Sequence, residues 1–189
     1  MTRSRALLGL LDPLIAGGGF GSALRYFENS GNGTTAAFVA RTDPLVNQAF
    51  PGYGAPSLGD LDADGDLDLI AGESGGTFYF ERVLPQTPSV IELTGAANPL
   101  AGQDVGSLAG PALADLDGDA DLVAGEDLGT FRFFENTSNA PSPHFLARTG
   151  TANPLNGRDV GERAKPAFGD LDLLAGRSAG DFRLLREHG

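Results

Sequence analysis

Asp60-Leu61-Asp62-Ala63-Asp64-Gly65-Asp66-Leu67-Asp68 sets five carboxylates on alternate positions of nine residues. Two like charges ~4 Å apart repel by about 1 kcal/mol in water and about 4 kcal/mol near a protein surface. A cation among them turns that repulsion into coordination, and Ca²⁺ suits the set because it takes about 6–8 hard oxygen ligands. Asp60, Asp62, Asp64 and Asp68 are the side-chain ligands this chemistry selects. Asp66 offers its backbone carbonyl, with its side chain outward. Gly65 permits the sharp turn that returns Asp68 to the ion. The plainer alternative is an acidic surface turn, since Asp and Gly form turns without any ion. An EF-hand shares the opening Asp-x-Asp-x-Asp-Gly but requires a Glu at its twelfth position. That position is Ala71, and the flanking residues read as strand rather than helix.

Outward from this stretch the chain repeats itself. Pro56-Ser-Leu-Gly-Asp-Leu-Asp62, Pro111-Ala-Leu-Ala-Asp-Leu-Asp117 and Pro166-Ala-Phe-Gly-Asp-Leu-Asp172 follow one another at intervals of 55 residues. Each leads to an apolar run ending in Ala-Gly: Leu69–Gly72, Leu122–Gly125 and Leu173–Gly176, with an earlier copy at Leu14–Gly17. An aromatic run comes next, as in Phe131-Arg132-Phe133-Phe134, and then a fourth short segment, as in Phe145-Leu146-Ala147-Arg148. The linkers from Gly95 and from Gly150 nearly coincide, and each runs on to Asp-Val-Gly, at Asp104 and Asp159.

Segments of four to seven residues separated by Gly, Asp, Asn and Pro are strand signals. Four strands per unit at this period predict an all-β protein of β-propeller-type blades, each of four antiparallel strands. A β-sandwich also has many short strands but does not predict the repetition. The expected arrangement is one repeat domain over residues 1–189. Its blades fall at about 1–50, 51–105, 106–160 and 161–189, with the terminal repeats incomplete. Such an arc exposes a blade face, so completion by a protein partner, another copy or a longer parent chain is expected.

The order Gly-Asp-Leu-Asp-x-Asp-Gly-Asp-x-Asp, Leu-Ile-Ala-Gly, Gly-Thr-Phe, Asn-Pro-Leu resembles the FG-GAP/VCBS repeats. These are the calcium-binding blades of integrin-alpha-like β-propellers. The resemblance spans nearly the whole chain in four copies. It implies that the loop between a blade's first two strands holds Ca²⁺ through its first, third, fifth and ninth positions, here Asp60, Asp62, Asp64 and Asp68. The third copy departs from the pattern with a loop two residues shorter. Its Asp115, Asp117 and Asp119 can still chelate, and Asp121 can close the site from the seventh position. The fourth copy keeps Asp170 and Asp172 and runs straight into its strand, and the first keeps only Asp12. Neither is expected to hold a metal.

Twenty-five acidic against 13 basic residues give a net charge of −12, which argues against nucleic acid and anionic membrane surfaces as partners. With no cysteine there is no disulfide, so calcium would serve as the staple of a domain outside the cell or on its surface. No apolar run reaches membrane-spanning length. Arg3, Arg5 and Ala6–Leu11 faintly suggest a signal peptide, but Asp12 and Pro13 interrupt the run and the repeat accounts for the same stretch. His144 and His188 stand alone, and Gly17–Gly21 lacks the Lys-Ser/Thr of a phosphate loop. No catalytic residue is assigned and no enzyme is expected. The leading expectation is a module for protein recognition, adhesion or assembly. A carbohydrate-binding propeller using the aromatics of Phe78–Phe80 and Phe131–Phe134 is one alternative. A non-catalytic part of a larger secreted enzyme is the other.

Overall fold

A computed structural model describes residues 14–16, 24–30, 35, 37–41, 54–62, 67–73, 76–83, 89–138, 142–169 and 172–185. Every sheet in it is an antiparallel meander of consecutive strands, and none closes on itself. Sheet I holds β1 (Leu14–Ala16), β2 (Arg25–Asn29) and β3 (Phe38–Arg41). Sheet II holds β4 (Ala55–Gly59), β5 (Asp68–Glu73), β6 (Gly76–Val83) and β7 (Ser89–Leu93). Sheet III holds β8 (Gly110–Asp115), β9 (Ala120–Gly125), β10 (Phe131–Asn136) and β11 (Phe145–Arg148). Sheet IV holds β12 (Lys165–Gly169), β13 (Asp172–Gly176) and β14 (Phe182–Leu185). Two 3-10 turns, Gly95–Ala97 and Gly150–Ala152, are the only helical segments among the described residues. The EF-hand is thereby excluded at Asp60–Asp68, since the stretch lies between two strands.

The sheets pack through their first strands: β4 lies beside β8, and β8 beside β12. Sheet III shows why a period of two serves this arrangement. Leu122, Ala124 and Phe134 turn toward sheet II and join Ile70, Val105 and Phe145 in one buried cluster. Val123, Phe131 and Phe133 turn the other way and meet Val160, Leu173 and Ala175 of the following unit. A sheet buried on both faces needs the nearly continuous apolar run that β9 supplies, and each fully buried Leu, Val or Phe contributes roughly 1.5–3 kcal/mol.

The Gly ending the apolar runs of β5 and β9 is set by the same packing. A Cβ added at Gly72 would lie 2.2 Å from the carbonyl oxygen of Ala109, and one at Gly125 would lie 2.5 Å from that of Ala164. The incoming connector presses its backbone onto the strand end, leaving no room for a side chain. Lys165 ties the same seam, donating from Nζ to the carbonyls of Leu108 (3.0 Å) and Ala109 (3.3 Å).

The two near-identical linkers adopt one structure. Asn98 and Asn153 each accept the N–H two residues on, at 2.9 and 2.8 Å, and Asp104 and Asp159 do the same at 3.0 and 2.8 Å. Leu108 and Arg163 even share the unusual positive φ, 52° and 60°. One unit departs from the common register. Val123 pairs with Phe133 and Leu174 with Leu184, but Ile70 pairs with Tyr79, one residue short of Phe80. The run Phe78–Phe80 therefore does not occupy the register of Phe131–Phe133.

Candidate metal centre

The shorter acidic loop gathers its carboxylates. It joins β8 to β9, with Asp115 pairing Ala120 and Ala114 pairing Asp121 across the hairpin. Residues 116–119 form the turn. Gly118 adopts φ +128°, which side-chain-bearing residues avoid, and its N–H reaches the Asp115 carboxylate Oδ1 at 2.7 Å. The turn carries Asp117 outward, Asp119 halfway in and Asp121 fully inside, with one carboxylate oxygen of each lying within 4.8 Å of the others.

Asp121 is 1% exposed. Its Oδ1 accepts the backbone N–H of Asn136 at 2.8 Å, whereas its Oδ2 is buried with no hydrogen-bond partner, as is Oδ1 of Asp119. Burial pushes the Asp121 carboxyl from an ordinary 3.8 up to about 6. The Asn136 N–H pulls the other way, and the charges of Asp117, Asp119 and Glu135 add to the rise. Asp119 is raised too, by burial first and then by Asp117 beside it. Carboxylates so placed resist ionisation alone and welcome a cation. Hard oxygens at this spacing, two of them buried and unpartnered, fit Ca²⁺ or a similar divalent ion. Such an ion would be held by Asp117, Asp119 and Asp121.

Asp115, read in the sequence as a fourth ligand, stands outside this group. It is exposed at the end of β8 and its Oδ1 is engaged with Gly118. In the longer loop, Asp60 and Asp62 are half-buried just after β4, and Asp64 and Asp66 lie outside the described residues. Asp68 opens β5, is 1% exposed, and accepts the N–H of Leu61 through Oδ2 at 3.2 Å. Asp170 and Asp12 also lie outside the described residues.

A relation that counting from the first Asp conceals is plain in the strand pairing. Asp68 pairs with Gly59, Asp121 with Ala114 and Asp172 with Gly169. All three occupy one register position, the point at which the second strand leaves the loop. The signal was present in the sequence as Asp-Leu before each x-Ala-Gly.

The aromatics proposed for sugar stacking are occupied in sheet III, where Phe131, Phe133 and Phe134 are all buried in the two clusters. His144 is exposed, with Nδ1 3.0 Å from the Thr137 hydroxyl, and His188 lies outside the described residues. Glu126 is held by Thr130 and by Arg132, whose guanidinium also meets Asp104 at 3.0 Å. No helix is long and apolar enough to cross a membrane among the described residues. Comparison with protein-family models, curated proteins and solved structures finds no match to this chain.

Proposed function

We propose that this chain is a calcium-stabilised β-propeller module that works by binding protein partners, in recognition, adhesion or assembly at a cell surface or in a secreted complex, and not by catalysis. The carrying observation is the pair of buried, unpartnered carboxylate oxygens of Asp119 and Asp121, facing Asp117 at the joint between two strands. An ion there relieves the repulsion of the three charges and fixes the β8–β9 hairpin against its neighbours. The same joint in sheet II carries Asp60–Asp68, so the reading supplies a second, larger loop of the same kind. Sheets packed side by side through their first strands, with equal connectors, suit blades of a propeller. Extracellular modules bind calcium at roughly 10⁻⁴–10⁻³ M, so a site of that strength would fill outside the cell and stay empty at cytosolic calcium.

Thermal melting of the full chain in excess chelator and in calcium at about ten times Kd tests the staple. One site stabilises by about 1.4 kcal/mol under those conditions, and a chain of this size should gain roughly 3–6 °C. Equal melting temperatures in the two buffers, with no heat on calcium titration, would refute the reading.

A further inference from the structure

A cavity of about 630 Å³ opens at the junction of sheets II and III, and none of Asp117, Asp119 and Asp121 lines it. One wall comes from the connector after β7, through Ala97, Asn98 and Pro99. The other comes from the chain leading into β11, through Pro143 and His144. Asp62, at the start of the long acidic loop, lines it too. Gln103 ties the two walls, donating from Nε2 to the Phe145 carbonyl at 3.4 Å. Ala97 and His144 are exposed and Asn98 and Pro143 half-buried, so the cavity is open to solvent.

The polar groups on these walls have distinct capacities. Asn98 and Asn153 stand at the same place in the two connectors, and each turns Oδ1 to the N–H two residues on. Asn153 also donates its amide N–H to the Phe131 carbonyl at 3.0 Å and is 9% exposed. Among the described residues Asn98 makes no such bond, in the unit whose strand register is offset by one, and it lines the cavity instead. His144 offers the opposite. The Thr137 hydroxyl has one proton, which goes to the His144 carbonyl at 3.1 Å. Nδ1, 3.0 Å from the same hydroxyl, is therefore the donor in that contact. In the neutral ring Nε2 is then an acceptor. Asp62 is an acceptor as well. Among the described residues no Lys or Arg lines the cavity. The long loop beside it carries five carboxylates, so a bound Ca²⁺ leaves that loop acidic, and the chain as a whole carries −12.

A ligand suited to these walls brings donors and positive charge to Asp62 and His144, an acceptor to Asn98, and aliphatic surface to Ala97, Pro99 and Pro143. A Lys or Arg side chain within a peptide supplies all of these. Its head only donates, its stem packs on apolar surface while the head stays with polar groups, and its own backbone carbonyl is the acceptor. A sugar has hydroxyls of both kinds but brings nothing to the negative charge. Complementary charge of this sort selects partners and speeds their encounter. We propose that this cavity docks a basic segment of a partner protein, with one Lys or Arg stem along Ala97, Pro99 and Pro143. The cationic head lies toward Asp62 and Nε2 of His144, and a backbone carbonyl of the segment meets the Asn98 amide. This deepens the partner-binding reading above and rests on it.

Magnetic resonance titration of the isotope-labelled full chain in calcium tests it, with the acetylated and amidated peptides Ala-Arg-Ala, Ala-Lys-Ala, Ala-Leu-Ala and Ala-Glu-Ala as probes. The Arg and Lys peptides should shift the signals of Ala97, Asn98 and His144 and saturate them, the Asn98 side-chain amide included. The Leu peptide should bind about tenfold more weakly, and the Glu peptide more weakly still. Ala97→Arg puts a cation on an exposed wall position and should abolish the saturable shifts. Ala152→Arg, at the matching place in the next connector, lies outside the cavity and should leave them unchanged. His144→Ala should weaken the Arg peptide several-fold, and it carries the test if Ala97→Arg fails to fold. No saturable shifts, shifts centred elsewhere, or a Leu or Glu peptide that binds equally well would each overturn the proposal. So would a monosaccharide that binds more tightly than the Arg peptide, or an Ala97→Arg chain that melts normally and still binds. Melting with and without chelator in the same samples separates the two readings. If the peptides fail while calcium still raises the melting temperature, the calcium module stands and only the docking of a basic segment falls.

Discussion

The β4–β5 and β8–β9 hairpins solve one problem with different lengths of chain. Both finish on a buried aspartate at the same register position, Asp68 and Asp121, and both use that carboxylate to accept a backbone N–H. Between strand ends, sheet II spends residues 60–67 and sheet III only 116–119. The donors differ accordingly. Asp68 reaches back into its own loop, to Leu61, whereas Asp121 reaches across the sheet to Asn136 in β10. Between the equivalent register pairs Gly59–Asp68 and Ala114–Asp121 the short hairpin has two fewer residues, and the added pair Asp115–Ala120 takes two more out of the loop, so the turn is drawn down onto the sheet without moving the closing aspartate. The constant element is the buried aspartate; the number of carboxylates above it is what varies.

The largest expected effect comes from neutralising that aspartate in the short hairpin. Asp121→Asn keeps an oxygen to accept the Asn136 N–H but removes a charge that burial and three acidic neighbours oppose. A carboxyl held at about 6 instead of 3.8 is destabilising when ionised by roughly 3 kcal/mol. At pH 7 in chelator, Asp121→Asn should therefore raise stability by up to about that amount. In calcium it should gain nothing from this loop, and urea melts in the two buffers check both halves. A variant less stable than wild type in chelator would show that the charge is not opposed.

The pH dependence follows from the same group. Because its folded pKa lies above its unfolded one, the metal-free native chain binds the extra proton between about pH 4 and 6. This contribution is fully present below pH 3.8 and is lost as pH rises through 6, so chelated protein should melt lower at pH 7 than at pH 4.5 on its account. Calcium requires the ionised form, so its affinity should fall roughly tenfold per pH unit below 6. Calorimetric titration at pH 7, 6 and 5 measures it. Asp121→Asn should flatten the response if the short loop carries it, leaving whatever the Asp60–Asp68 loop contributes.

A smaller effect is expected from Gly118→Ala. Nothing lies within 4 Å of an added Cβ, so the penalty is conformational alone, from φ at +128°. Holding a side-chain-bearing residue in such a region costs about 1–3 kcal/mol. The variant should melt lower in chelator and bind calcium more weakly, because Asp117 and Asp119 flank the strained position. The long hairpin's calcium response should be untouched, which separates the two sites in one experiment.

How much of this was legible beforehand divides along physical lines. The apolar runs of period two and the 55-residue spacing made the strands, their meander and the joint position readable, because those depend on local pattern. The short loop was readable as a set of four carboxylates, Asp115, Asp117, Asp119 and Asp121, of which the structure brings the last three together. What was not readable depends on register and on contacts across sheets. Counting forward from the first Asp of each loop hides the equivalence of Asp172 with Asp68 and Asp121, since loop lengths differ on the near side of it; counting back from Ala-Gly shows it, and the strand pairing places all three at one register position. The one-residue offset at Ile70–Tyr79 has its counterpart in the sequence, where Phe78–Glu81 is one residue shorter than Phe131–Glu135, but which residue faces which is settled only by the pairing. Glu135, on β10 and outside the acidic loop, bears on Asp121 electrostatically while bound to Arg148 at 2.5 Å. Lys165 reads as an ordinary surface lysine until the carbonyls of Leu108 and Ala109 appear beneath it.

Asp115 gives the finest test of the comparison, because the sequence makes it the counterpart of Asp60, a first-position ligand. In the short hairpin it has been absorbed into β8, pairs with Ala120, and receives the Gly118 N–H at 2.7 Å. Its carboxylate then orders the turn and stands outside the group formed by the three that follow. Asp115→Ala removes one exposed hydrogen bond, worth about 0.5–1.5 kcal/mol, and should lower calcium affinity by no more than a few fold. Asp115→Asn, which retains the acceptor, should restore the melting temperature and most of that affinity. A true ligand would behave otherwise: Asp115→Asn would lose calcium binding as severely as Asp117→Asn. Titrating the three variants side by side distinguishes a carboxylate that shapes the turn from one that holds the ion.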